Sequence, residues 1–120
     1  MSFINADHPG LAYGDGYMSG AGTTGQIVAV AGNDVFAVND DATARSFGIL
    51  RHDYADGKMP GIWCGGGVYT TDVFEGTITA GAALKVSENG KLIAGVEAGD
   101  LVIAEAISVS GGVLKFKLLI

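Results

Sequence analysis

Residues 101–119 read LVIAEAISVSGGVLKFKLL, and this stretch decides the fold class. Two apolar runs flank Ser110-Gly111-Gly112, a sequence typical of the turn between antiparallel strands. In the second run large apolar residues alternate with Lys115 and Lys117, which predicts a strand with one buried face and one wet face. The first run is apolar on both faces apart from Glu105. It therefore predicts a strand that is central in its sheet or packs against a neighbouring subunit.

The chain from residue 26 onward carries the same signals of short strands separated by turns. Asn89-Gly90 is the strongest hairpin signal, because both residue types tolerate the positive φ angles of a tight turn. No stretch shows apolar residues at i, i+3, i+4 and i+7 over a helical length. The predicted strand regions are 26–31, 34–38, 45–51, 66–75, 77–79, 82–87, 91–94, 101–108 and 113–119, with a turn at Gly32-Asn33 and a polar loop at 52–61. About eight short strands at this spacing predict an all-β barrel or sandwich.

Residues 1–25 differ from the rest of the chain. Six glycines alternate there with small polar residues and scattered aromatics, without a strand period. This composition predicts an extended arm with little fold of its own, followed by one β domain at 26–120. The arm's large apolar residues are predicted to anchor on another protein; they are Phe3, Ile4, Leu11, Tyr13, Tyr17 and Met18.

Composition and charge narrow the classes of partner. The chain is 48% hydrophobic and only 17% charged, and a typical soluble domain has about 25% charged residues. This shortage of charge predicts that some apolar surface is hidden against partners, including copies of the chain itself. The net charge of −6 disfavours binding to nucleic acid and to anionic membranes. The N-terminus shows no signal-peptide pattern, so we expect folding in a reducing cytoplasm.

The sequence offers no recognisable catalytic or cofactor site. Cys64 is the single cysteine and is predicted to be a buried, inert thiol. The two histidines, His8 and His52, are too few for a typical catalytic zinc site, and Asp53 and Asp56 near His52 are interpreted as solvated loop residues. Residues 20–25 match G-x-G-x-x-G, but no strand precedes them and no helix is predicted after them, so a flexible hinge is the better interpretation. We expect no metal, no cofactor and no enzymatic activity.

Two local patterns leave alternatives open. Gly99-Asp100 opening a strand is found in lipoyl and biotinyl carrier barrels, and Lys58 would then be the modified lysine, although the flanking pattern of either family is missing. Gly65-Gly66-Gly67 is consistent with a β-bulge or with a close approach of another backbone, and we favour the bulge.

Residues 78–92, ITAGAALKVSENGKL, resemble a hairpin of the small decoration, or cement, proteins of tailed-bacteriophage heads. The following Ala98-Gly99-Asp100 and the apolar C-terminal strand extend this resemblance over roughly residues 26–120. It implies a small β-barrel or β-tulip-like domain on the outer capsid surface of the virion, made in the host cytoplasm. It also implies binding to the major capsid protein, self-association that is often trimeric, and no catalytic residues.

The residues alone leave two other functions open. A tail or baseplate accessory protein would differ from a decoration protein only in its binding position on the particle. A small ligand-binding or enzymatic β-barrel would instead need a concave pocket with convergent polar groups and shifted pKa values.

Overall fold

The C-terminal hairpin forms as predicted in the computed structural model, which describes all 120 residues. Strands β10 (Ala104–Ser110) and β11 (Val113–Leu118) pair antiparallel. Gly111 and Gly112 make the turn with φ angles of 58° and 74°, which side-chain-bearing residues rarely adopt. On β11, Leu114, Phe116 and Leu118 are at most 1% exposed. The lysines between them therefore point to the opposite face.

All eleven elements of the chain are strands, which confirms the prediction of an all-β fold. The other nine strands are β1 (Ile4–Tyr13), β2 (Tyr17–Met18), β3 (Ile27–Gly32), β4 (Val35–Val38), β5 (Gly48–Leu50), β6 (Ile62–Thr71), β7 (Phe74–Glu75), β8 (Ala83–Val86) and β9 (Leu92–Ile93). They form one sheet in the order β2-β4-β3-β5-β6-β11-β10-β8-β9-β7, with β1 attached to β6. No helix of the structure has the length and apolar character needed to cross a membrane. The finer expectation of a barrel or β-tulip shape stays a prediction.

Several predicted strand boundaries shift in the structure. The Asn89-Gly90 hairpin is confirmed, because β8 and β9 pair antiparallel and Gly90 has a φ of 74°. The predicted strand at 77–79 is wrong: Gly76 and Gly81, both at positive φ, bend the chain on either side of this run. Strand β6 starts at Ile62 and continues through the glycine triplet, whereas the predicted strand begins inside the triplet, at Gly66.

The prediction that residues 1–25 have little fold of their own is wrong. Strand β1 runs for ten residues along the whole of β6, and β2 pairs parallel with β4. The pairing of β1 has two irregularities, one between Ala6 and His8 and one between Leu11 and Ala12. These bulges and Pro9 interrupt the period-2 pattern, so the strand is not recognisable from alternation of apolar and polar residues.

The loop at 20–25 is not a flexible hinge. Gly22 exchanges two backbone hydrogen bonds with Tyr54, at 2.9 and 2.8 Å, and Gly25 donates to Leu50. The Thr24 backbone amide donates to Asp53 Oδ1 and its hydroxyl donates to the carbonyl of Arg51. A strand, β3, follows the loop instead of the helix that a dinucleotide site requires.

The middle of the sheet is covered by apolar side chains on both faces. Ile27 and Ile49 belong to a large cluster with Tyr69, Leu114 and Phe116. Their chain neighbours Val28 and Leu50 belong to a second cluster on the opposite face, because side chains alternate along a strand. The second cluster is completed by Met18, Phe36 and Ile62.

Strand β6 joins the two halves of the sheet. Strand β1 pairs with it from Ile62 to Thr71 and takes one of its edges. The other edge is shared, because β5 pairs with Ile62 and Trp63 whereas β11 pairs with residues 68–71. Beyond this division, on β6, β11 and β10, one sheet face stays uncovered, and Glu105, Ser108 and Lys117 are exposed there.

Candidate protein-binding surface

Strand β1 is held on β6 by a contact between glycine backbones. A Cβ atom on Gly10 would lie 2.0 Å from the Gly65 carbonyl oxygen and 2.4 Å from that of Gly66. The Tyr69 hydroxyl accepts a hydrogen bond from the Gly10 amide and donates one to the Gly66 carbonyl. The glycine triplet is therefore a place of close backbone approach as well as of irregular pairing, since the register shifts beside it.

Two of the six predicted contact residues belong to the second apolar cluster. Met18 is fully buried there, so the prediction that it contacts another protein is wrong. Tyr13 packs with its ring edge against Phe36 and Phe47, with centroids 5.7 and 5.6 Å apart. Its hydroxyl donates a 2.5 Å hydrogen bond to Asp34, and this bond raises the pKa of Tyr13 to about 12. Tyr13 thus fastens the end of β1 to the β3–β4 turn.

The other four predicted contact residues divide between the fold and the surface. Ile4 is partly buried against the large cluster, and Phe3 is half-buried, with its amide bound to Asp72. Leu11 is 70% exposed and Tyr17 is 51% exposed. These last two are therefore the predicted residues that remain available to a partner.

Several large apolar side chains outside the predicted contact residues are also exposed. Besides the chain-terminal Met1, those that were missed are Val30, Met59, Leu101, Val102, Ile107 and Leu119. For residues 101–107 the sequence did contain a signal of a contact surface. An apolar run without alternation indicates a strand that is covered on both faces, either within its own sheet or by a partner. Strand β10 is indeed central, between β11 and β8, yet Ile107 on it is 42% exposed.

Three of these residues lie on the two chain segments that meet at the open end of the C-terminal hairpin. The amide of Leu119 donates to the Ile103 carbonyl at 2.9 Å, and Leu101 and Val102 directly precede Ile103. We refer to Leu101, Val102 and Leu119 as the C-terminal apolar patch; each is between 41% and 48% exposed. Grouped apolar exposure of this kind is typical of protein contact sites, whereas single exposed residues are ordinary.

A cavity of about 520 Å³ is lined by five carboxylates, together with Lys85 and polar residues of the β8–β9 turn. The carboxylates are Asp40, Asp41, Glu75, Glu88 and Asp100, and we call the cavity the acidic groove. Asp100 forms the only ion pair of the chain, at 2.8 Å from Lys85 Nζ. The bond from Lys85 lowers the pKa of Asp100, and the same bond raises the pKa of Lys85.

Glu75 in the same groove ties two turns of the chain together. It accepts hydrogen bonds from the Ser87 hydroxyl and from Asn89 Nδ2, and these lower its pKa, that from Ser87 most strongly. Thr43 likewise lowers the pKa of Asp41 by hydrogen bonding to its carboxylate. These carboxylates therefore have structural partners within the fold.

The residues considered for chemistry lie apart or serve the fold. Asp53 and Asp56 accept hydrogen bonds from the amides of Thr24 and Gly20. No group of three or more His, Cys, Asp or Glu residues is arranged to hold a metal ion. Cys64 on β6 is half-buried, not fully buried as predicted, and desolvation raises the pKa of its thiol.

Lys58 lies in the loop that joins β5 to β6, with its carbonyl bound to the amide of Met18.

In the comparisons with known proteins, the chain matches no family model and no curated protein significantly.

Proposed function

We propose that this protein is a capsid decoration protein, which binds the outer surface of a bacteriophage head, bridges major capsid subunits and so stabilises the head. The observation that carries the proposal is the C-terminal apolar patch, together with the exposed Leu11 and Tyr17, on a domain that has few charges. Burying one large apolar side chain contributes about 1.5–3 kcal/mol, so a few such contacts suffice for each copy when many copies bind one particle.

The resemblance in the sequence supports the same function. The similar stretch, residues 78–92, covers β8, the Asn89-Gly90 turn and the start of β9. The strand pair β10 and β11 follows it, in the order that the resemblance implies. A decoration protein also needs no reacting groups, and the carboxylates of the acidic groove that show shifted pKa values have partners within the fold.

Self-association, as a trimer in the form that the resemblance implies, is part of the proposal. A low-charge domain with an apolar patch at the end of a hairpin fits a contact between permanent partners. Copies that are linked to one another also hold the head more firmly, because each bound copy raises the effective concentration of the next.

Co-sedimentation tests the proposal. Expanded heads that lack decoration, assembled from the major capsid protein of the same genome, are mixed with increasing amounts of the protein and pelleted. The expected result is saturation at a fixed number of copies per capsid subunit. Recovery of the protein in the supernatant at every concentration would contradict the proposed function, as would a genome that encodes no major capsid protein.

A further inference from the structure

The uncovered face of the sheet is built from five strands: β6, β11, β10, the beginning of β1 and the beginning of β8. The strand register identifies which side chains lie on this face. The residues that alternate with them point to the other side of the sheet, into the large cluster. One row across the strands is Asn5, Thr70, Lys115 and Ser108, and the next row is His8, Val68, Lys117, Glu105 and Ala83. We call these residues the lysine face. At about 4.8 Å between strands, five strands make it roughly 20 Å wide.

The lysine face is unusual for its charge. Lys115 and Lys117 are two of only seven basic residues in a chain of net charge −6. Neither forms an ion pair, although Glu105 lies directly opposite Lys117 on β10. Two other basic side chains are already engaged, since Lys85 binds Asp100 and Arg51 lies over the Trp63 ring at 4.4 Å.

Apolar side chains border these lysines. Leu119 continues the alternation of Lys115 and Lys117 and joins the face to the C-terminal apolar patch. Ile107, at a bulge of β10, is 42% exposed between the two rows. Apolar side chains beside the two lysines allow one contact to combine apolar burial with charge pairing.

The acidic groove supplies the complementary charge on the same molecule. Asp40 and Glu88 are exposed at its rim and form no ion pair. Two acidic molecules repel each other unless opposite charges meet at the contact. A contact of lysine face with acidic groove brings unpaired lysines of one copy to unpaired carboxylates of the next.

From this complementarity we infer that the lysine face binds the acidic groove of a second copy of the chain. The contact is heterologous, since it joins two different surfaces, and repeating it closes a ring if the rotation between copies allows closure. The inference rests on the self-association in the proposed function and names the surfaces that carry it. Binding of either surface to the head is a different outcome, and the test below separates the two.

Sedimentation velocity of the purified protein without heads is the test. For wild type we expect association that weakens as salt is raised, because the contact depends on charge. Lys115→Glu with Lys117→Glu is expected to weaken association at least about tenfold, since like charges then face each other. Asp40→Lys with Glu88→Lys is expected to weaken association by a similar factor, because lysines in the acidic groove then face the lysine face of the next copy.

Two further variants make the test decisive. The charge control is Arg45→Glu with Lys58→Glu, which changes the net charge by the same amount as Lys115→Glu with Lys117→Glu. Because it leaves the lysine face intact, the control is expected to associate more tightly than the double lysine variant. The quadruple variant K115E/K117E/D40K/E88K keeps the wild-type net charge and reverses both surfaces. It is expected to recover association.

Three results would overturn the inference: a monomeric wild type, a double lysine variant that associates as tightly as the Arg45 and Lys58 control, or a folded quadruple variant that stays monomeric. Circular dichroism and the melting temperature establish folding. Co-sedimentation with heads is measured separately, so a failure of the surface assignment is distinguishable from a failure of the proposed function.

Discussion

At the scale of single residues, the glycine at position 10 decides whether β1 stays on the sheet. Gly10→Ala places a methyl group within 2.4 Å of two carbonyl oxygens of β6, and the backbones must separate. We expect a loss of about 1–3 kcal/mol in the free energy of unfolding, measured by chemical denaturation. Gly14→Ala is the matched control, because nothing lies within 4 Å of its added Cβ. Equal stability of the two variants would contradict this account of the β1–β6 contact.

Glu75 makes the stability depend on pH. Its folded pKa lies below the ordinary value of 4.5, so its contribution is present above pH 4.5 and is lost as the pH falls through the lowered folded value. In Glu75→Gln this titration is absent, and we expect a shallower decline of unfolding free energy below about pH 4.5. Glu88→Gln has the same net charge and is the reference. Parallel curves for the two variants would show that the hydrogen bonds to Glu75 have no effect on stability.

Leu11 is the predicted contact residue that the structure leaves most exposed, at 70%. Replacing it by serine removes apolar contact area without disturbing the core. We expect Leu11→Ser to weaken binding to undecorated heads roughly tenfold, because burial of this side chain contributes about 1.5–3 kcal/mol. Val30→Ser, at a site that is 59% exposed, is the control and should bind like wild type. A Leu11 variant with wild-type affinity would place the contact elsewhere.

At the scale of elements, β1 is where sequence and structure differ most. The two hairpins at 89–90 and 111–112 could be predicted, because alternation and turn glycines are local signals. Strand β1 pairs with residues about 60 positions away, and its pairing depends on glycines in both strands, so no local pattern reveals it. The same reasoning applies to the contact residues: Met18 and Leu11 look alike in sequence, and only long-range packing buries one and exposes the other.

Hydrogen exchange of the free protein tests the assignment of β1 to the fold. Amides of residues 4–13 that bond to β6 should exchange slowly, with protection comparable to that of β11. An arm that orders only on binding would exchange within seconds until heads are added. Rapid exchange throughout residues 4–13 in the free protein would therefore restore the arm interpretation and contradict the β1–β6 pairing.

At the scale of the whole molecule, the proposal is that a small sheet protein acts through its surface. The middle of the sheet carries apolar clusters on both faces, whereas β6, β11 and β10 leave one face open. The lysine face lies on this open part, and Leu119 of the C-terminal apolar patch directly follows β11 beside it. Composition predicted that apolar surface would be hidden against partners, but it could not predict where that surface lies. Its position depends on which strands have another layer packed on them, and this is determined by the order of the strands in the sheet.

Heat-induced DNA release tests the proposed stabilisation of a phage head most directly. Under the proposed function the chain is encoded by a phage, and DNA-filled heads of that phage are prepared without the protein. They are then heated with a DNA-binding dye, with and without saturating protein added back. The account predicts that the protein raises the temperature of DNA release, whereas an unchanged release temperature with the protein at saturation would contradict it.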